Sequence, residues 1–115
     1  MSEDIFTKLL EYVGEDPTRD GLKATPARMA KAWTEWTSGY DADIPAMLTT
    51  FENDGNYDQM ITVRDIPFYS HCEHHLAPFF GTADISYIPS AHSGVVGLSK
   101  LSRVLQAYAR RLQVQ

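Results

Sequence analysis

The chain has 115 residues, 43% of them apolar, and a formal net charge of −5. That suits one domain with a modest core, and the acidic balance argues against nucleic acid, which needs a basic stripe. One cysteine excludes an internal disulfide, no apolar stretch approaches the ~18 residues of a membrane span, and residues 1–6 lack a signal-peptide pattern, so a reducing cytoplasm is the expected compartment.

Spacing predicts a helix from Ser2 to Val13. Ile5, Phe6, Leu9, Leu10 and Val13 recur at helical intervals, with Ser2 as expected N-cap and Gly14 as the stop. Glu15 to Gly21 reads as a turn-rich connector. Thr25-Pro26 is expected to open a second helix, with Thr25 as N-cap and Pro26 in the first helical position. Met29, Ala32, Trp33 and Trp36 form its apolar stripe, the two tryptophans are expected in the core, and Gly39 is the expected residue just past the end. Arg28 and Lys31 lie three apart and share a face. Spacing alone fits two solvated cations or a pair that holds an anion.

Asp41 to Gln59 reads as acidic and irregular, with a turn at Asp54-Gly55-Asn56. Its length would suit covering another subunit or a partner. Two strands are then predicted. Met60 to Pro67 places Ile61 and Val63 on one face and Thr62 and Arg64 on the other. In Gly81 to Tyr87, Ala83, Ile85 and Tyr87 alternate with Asp84 and Ser86. Pro89 to Gly94 reads as a turn that exposes His92, and Val95-Val96 as a short extended piece. A last helix begins at Leu98, with an apolar face of Leu98, Leu101, Val104, Leu105, Tyr108 and Leu112 and Ser99 as expected N-cap. Lys100 and Arg103 sit in its first turns, where cations oppose the helix dipole unless an anion binds there. The class that results is α+β.

Between the two strands lies Ser70-His71-Cys72-Glu73-His74-His75, which holds the single cysteine and three of the four histidines. A thiolate and an imidazole suit zinc better than magnesium or calcium. Cys72 and His75 are the ligand candidates, in a loop held by two strands. His74 is then available to move a proton near neutral pH. Glu73 could bind substrate, orient a neighbour or face solvent. His71 and Cys72 are adjacent, so both reaching one ion would need a special loop. A zinc ion that activates water, a histidine beside it and two basic pairs describe metal-assisted hydrolysis of a phosphorylated small molecule.

The chain resembles the GTP cyclohydrolase I family. The matching segments are Gly14-Glu-Asp-Pro-Thr-Arg-Asp-Gly-Leu, Thr25-Pro-Ala-Arg-Met-Ala-Lys31, Ser38-Gly-Tyr40, Ser70-His-Cys-Glu-His-His-Leu-Ala-Pro78, Gly97-Leu-Ser-Lys-Leu-Ser-Arg103 and Arg110-Arg-Leu-Gln-Val-Gln115. The resemblance implies a tunnelling fold: helices ahead of an antiparallel strand pair, then a helical pair, then two more strands. It implies a homo-oligomer, typically a decamer of two pentameric rings, with active sites between subunits. Cys72 and His75 match zinc ligands, and His74 a histidine that assists proton transfer at the purine. Arg28, Lys31, Ser99, Lys100 and Arg103 match the group that holds the triphosphate, and Gln115 a residue beside the purine. The implied reaction opens the imidazole ring of GTP, releases C8 as formate and gives 7,8-dihydroneopterin triphosphate. This is the first step of tetrahydrofolate and pterin synthesis.

The family pattern also includes a second cysteine as third zinc ligand, a glutamate that anchors guanine, a further histidine, the second helix of the pair and the last two strands. None of these is in the 115 residues. The expectation is therefore one family domain shortened at its C-terminal side, with residues 1–40 as its helical part and 60–115 as a partial core. The alternative expectation is a non-catalytic zinc-binding or interaction subunit of the same fold.

Overall fold

A computed structural model describes residues 2–53, 55, 57–90 and 94–115. The expected turn residues Asp54 and Asn56, and His92, lie outside the described residues. The chain forms two compact units, residues 1–37 and 38–115.

The first unit is a helix pair, α1 (Ser2–Tyr12) and α2 (Thr25–Trp36), packed on one another. Ser2 already lies inside α1, one residue later than a cap would stand. Gly14 ends α1 as expected. At φ 90° it occupies the left-handed region, its N–H donates to the Glu11 carbonyl, and the Glu15 N–H donates to the Leu10 carbonyl. That pair of bonds is the Schellman closure, and a glycine reaches its geometry without a Cβ penalty. The apolar stripe of α1 is split: Phe6 and Leu10 are half-buried, while Ile5, Leu9 and Val13 are exposed.

α2 starts differently from the sequence expectation. Its cap position is Ala24, and no side chain caps it. The preceding turn explains this, because Ala24 is already near-helical (φ −93°, ψ −4°) and the Thr25 N–H donates to the Leu22 carbonyl. Pro26 occupies the helix start as expected and is buried. Trp33 and Trp36 meet edge to face with centroids 5.6 Å apart. Only Trp33 is half-buried; Trp36 is exposed, against the expectation that both enter the core.

The second unit carries the strands. A 3-10 turn (Ser38–Asp41) and a short helix α3 (Ile44–Met47) replace part of the expected irregular stretch. The Asp43 carboxylate accepts from the Ala46 N–H and caps α3. Next come β1 (Thr50–Phe51), β2 (Ile61–Cys72), β3 (Pro78–Tyr87), β4 (Val95–Val96), α4 (Leu98–Ala109) and β5 (Leu112–Gln113). β1 and β4 pair antiparallel, and a second sheet has the order β3-β2-β5, with β2 and β5 parallel.

Both long strands exceed their predicted bounds. The first is expected to end at Pro67, a residue that lacks a ladder donor. Here Pro67 still pairs with Thr82 through the strand register, and its carbonyl accepts from the Gln106 side chain of α4 at 2.8 Å. The metal-candidate segment is thus split: Ser70-His71-Cys72 close β2, with Cys72 its last residue, and Glu73-His74-His75 form the turn after it.

A β-bulge decides which side Cys72 faces. Val63 pairs with Ile85 and Ile66 with Ala83, so Arg64 and Asp65 oppose the single residue Asp84. Asp65 takes φ 56°, and its N–H is held by the Asp84 carboxylate at 2.9 Å. The extra residue switches the inward set from odd to even positions. Before it Ile61 and Val63 point inward; after it Ile66, Phe68, Ser70 and Cys72 do. Without that shift, Cys72 would fall on the exposed face, and Pro67 and Tyr69 would turn inward in its place.

α4 closes the core against β2, burying Leu101, Ala107 and Ala109. Gly97 is the cap residue, so Ser99 lies within the first turn rather than capping it. The helix stops at Ala109, and Leu112, expected on its apolar face, belongs to β5. Side-chain bonds to the backbone set that turn. The buried Ser70 hydroxyl is within bonding distance of the Ala109 (2.7 Å) and Arg111 (3.3 Å) carbonyls. The Arg111 guanidinium donates to the Gly39 carbonyl at 2.9 Å and lies 5.0 Å from the Tyr108 ring centroid.

Candidate metal centre and anion-binding residues

The turn after β2 is built to point N–H groups at the Cys72 end. The Leu76 N–H donates to the Cys72 carbonyl at 2.7 Å, and the Cys72 N–H donates to the Ala77 carbonyl at 2.8 Å. Leu76 sits at φ 56°, an uncommon place for a branched apolar residue. Such strain gathers at functional turns, and nothing in the local sequence signals it. β5 completes the frame, with the Glu73 N–H donating to the Gln113 carbonyl at 2.8 Å.

Cys72 is 4% exposed, and its sulfur is surrounded by donors. The backbone N–H of His74 is the largest influence, then the His75 side chain, the His75 N–H and the Gln115 side chain; together they outweigh desolvation and lower the thiol from 9.0 to about 7. The stabilisation of the thiolate by these donors is complete above pH 9 and is lost as pH falls through about 7. We expect the thiolate absorbance of metal-free protein to rise with a midpoint near 7. A midpoint near 9, that of an unassisted thiol, would show that the donors do not act.

The structure brings together Cys72, His75 and Gln115, with Glu73 and His74 on the same turn. His74 is exposed; its Nε2 lies 3.6 Å from Glu73 Oε1, an ion pair only when the imidazole is protonated. The rings of His74 and His75 stand edge to face, 6.4 Å apart. Gln115 also lines a groove of about 340 Å³ walled by Phe68, Phe79, Leu105 and Tyr108. A buried thiol at low pKa and an imidazole three residues on fit a zinc ion by chemistry and reach. They are two donors; among the described residues no group of three His, Cys, Asp or Glu side chains converges.

Ser99, Lys100 and Arg103 occupy the first two turns of α4. Gln115 follows the other end of that helix, which at ~1.5 Å per residue is about 18 Å long. No side chain caps the N-terminus of α4. Arg28 and Lys31 are exposed on α2, in the other unit. No helix among the described residues is long and apolar enough to cross a membrane.

A family model described as GTP cyclohydrolase I matches residues 2–115. A protein of Nitrosospira multiformis named GTP cyclohydrolase 1 is 57% identical over 111 residues, covering 96% of this chain and 57% of that protein. One of the same name from Janthinobacterium sp. (strain Marseille) is 53% identical, over 100% of this chain and 58% of that protein. A third, from Allorhizobium ampelinum, is 48% identical over 99% of this chain and 56% of that protein. The chain thus spans somewhat more than half the length of these relatives. The strand-end thiol, its histidine turn and the basic start of α4 all fall inside the matched span, and the chain belongs to the GTP cyclohydrolase I family.

Proposed function

We propose that the protein containing this chain hydrolyses and rearranges GTP to 7,8-dihydroneopterin triphosphate and formate in the cytoplasm, as a zinc-dependent homo-oligomer. The observation that carries this reading is the Cys72 thiol, drawn to a pKa of about 7 with the His75 imidazole against it, in a chain whose relatives are named GTP cyclohydrolase 1. Residues 1–115 are taken as part of one family domain.

Cys72 and His75 would hold the zinc. When bound, the ion supplies a Lewis acid that makes water a competent nucleophile at neutral pH. Cys72 is preorganised for this role, since its turn already stabilises the anionic sulfur. Addition of water across the N7–C8 double bond of the purine requires a proton at N7, and His74 would deliver it. Glu73 Oε1 lies 3.6 Å from His74 Nε2, close enough to orient the imidazole. Gln115 offers an amide to the purine edge at the rim of the adjoining groove. Arg28, Lys31, Ser99, Lys100 and Arg103 would hold the triphosphate, the last three where the free N–H groups of α4 also favour an anion. Because the cations start α4 and Gln115 follows its far end, a site shared between copies accommodates both groups. A second reading, a non-catalytic subunit, draws on the two-donor metal set found among the described residues.

Incubation with GTP decides between them. The protein expressed from its complete gene should release one formate per GTP consumed; zinc binding without formate would favour the non-catalytic reading. Arg103→Ala should raise the KM for GTP about 10- to 100-fold, the cost of one charge-assisted bond to phosphate. Its zinc content should not change. An unaltered KM would remove Arg103 from the triphosphate group.

A further inference from the structure

The N-terminus of α4 is held from outside the helix. Its cap residue, Gly97, contributes no side chain, and the chain enters it from the two-residue strand β4. A two-residue pairing with β1 is too short to fix that entry alone. The missing restraint comes from Tyr87, the last residue of β3. Its hydroxyl donates to the Val96 carbonyl at 3.0 Å and accepts from the Val96 N–H at 3.1 Å. One oxygen therefore satisfies both backbone groups of the residue just before Gly97. It ties the long β2–β3 hairpin to the small β1–β4 sheet, and Tyr87 itself is half-buried at its pairing with Ile61.

We infer that Tyr87 is a positioning residue for the anion-binding end of α4. It acts by fixing Val96, and through Val96 the path of Gly97 into the turns that carry Ser99, Lys100 and Arg103. The inference rests on the reading that those residues hold the triphosphate. Tyr87 does not touch the substrate. Its role is to keep the free N–H groups and the two cations aimed at one place, so that little order must be gained on binding.

The test uses Tyr87→Phe, Arg103→Ala and the double variant in the protein from its complete gene. The readouts are the KM for GTP, the inhibition constant of inorganic triphosphate, kcat and zinc content. Removing one hydroxyl deletes two hydrogen bonds, and Tyr87→Phe should raise KM and the inhibition constant about tenfold. kcat and zinc content should stay within about twofold of wild type, a split that general loosening of the fold would not give. The double variant should show less than the product of the single effects, because Tyr87 works through the helix end that carries Arg103. If Arg103→Ala weakens triphosphate binding and Tyr87→Phe does not, the positioning role is overturned while the triphosphate reading stands. If Arg103→Ala has no effect, the triphosphate reading itself fails. Should Tyr87→Phe not fold, Tyr87→4-aminophenylalanine, which keeps a donor to the Val96 carbonyl but is a poor acceptor, is expected to give an intermediate KM; a wild-type KM would overturn the inference.

Discussion

Cys72→Ser should abolish zinc-dependent turnover while leaving the fold in place. A serine hydroxyl is smaller than the thiol and can accept from the same His74 and His75 donors, so the turn after β2 keeps its bonds. It cannot ionise at neutral pH, and it removes the sulfur that zinc prefers. Disturbing a group behind a metal ligand costs 10- to 100-fold in affinity, and loss of a ligand should exceed about 100-fold. Zinc content, formate release and the melting temperature of the metal-free protein check this together. Loss of metal and activity at an unchanged melting temperature is the expected pattern. Retained zinc with normal turnover would exclude Cys72 as a ligand.

Gly39→Ala should act on stability instead. A Cβ at this position would lie 1.9 Å from the Ala107 carbonyl oxygen and 2.9 Å from that of Arg110, both backbone atoms of the α4 terminus. Neither can rotate away, so the 3-10 turn must lift off. That would strain the Gly39 N–H bond to Arg110 (3.1 Å), the Arg111 bond to the Gly39 carbonyl and the Leu112 N–H bond to the Tyr40 hydroxyl (2.9 Å). Overpacking alone costs about 1–3 kcal/mol, and each strained bond adds about 0.5–1.5 kcal/mol. A loss of about 3 kcal/mol or more is expected, a large share of a typical domain's stability. Urea unfolding measures it, and a loss below about 1 kcal/mol would mean the turn does not depend on this approach.

These two sites differ in how far the sequence announces them. Cys72 and His75 stand out by residue type, and the alternation of Ile61 and Val63 against Thr62 and Arg64 is what the strand adopts. α+β class, the helix starting at Leu98 and the Gly14 stop were legible for the same reason: local spacing and local backbone freedom decide them. What was missed depends on distant partners. The bulge at Arg64-Asp65 needs Asp84 across the hairpin, so nothing near Asp65 in sequence reveals that the strand changes its inward face before Cys72. Gly39 reads as a helix terminator, yet its small size serves a contact with α4 some seventy residues later. Leu112 continues a helical period on paper. The Ser70 and Arg111 side chains instead turn the chain into β5. Gln115 reaches Cys72 only because that strand runs parallel to β2.

If Cys72 and His75 hold the zinc ion proposed for them, hydrolysis of GTP depends on that ion. Formate release can be measured against zinc occupancy on one preparation stripped by chelator and reloaded in steps. Formate release should vanish at zero occupancy and rise in proportion to bound zinc. Full formate release from the stripped protein would rule out a zinc-dependent hydrolysis.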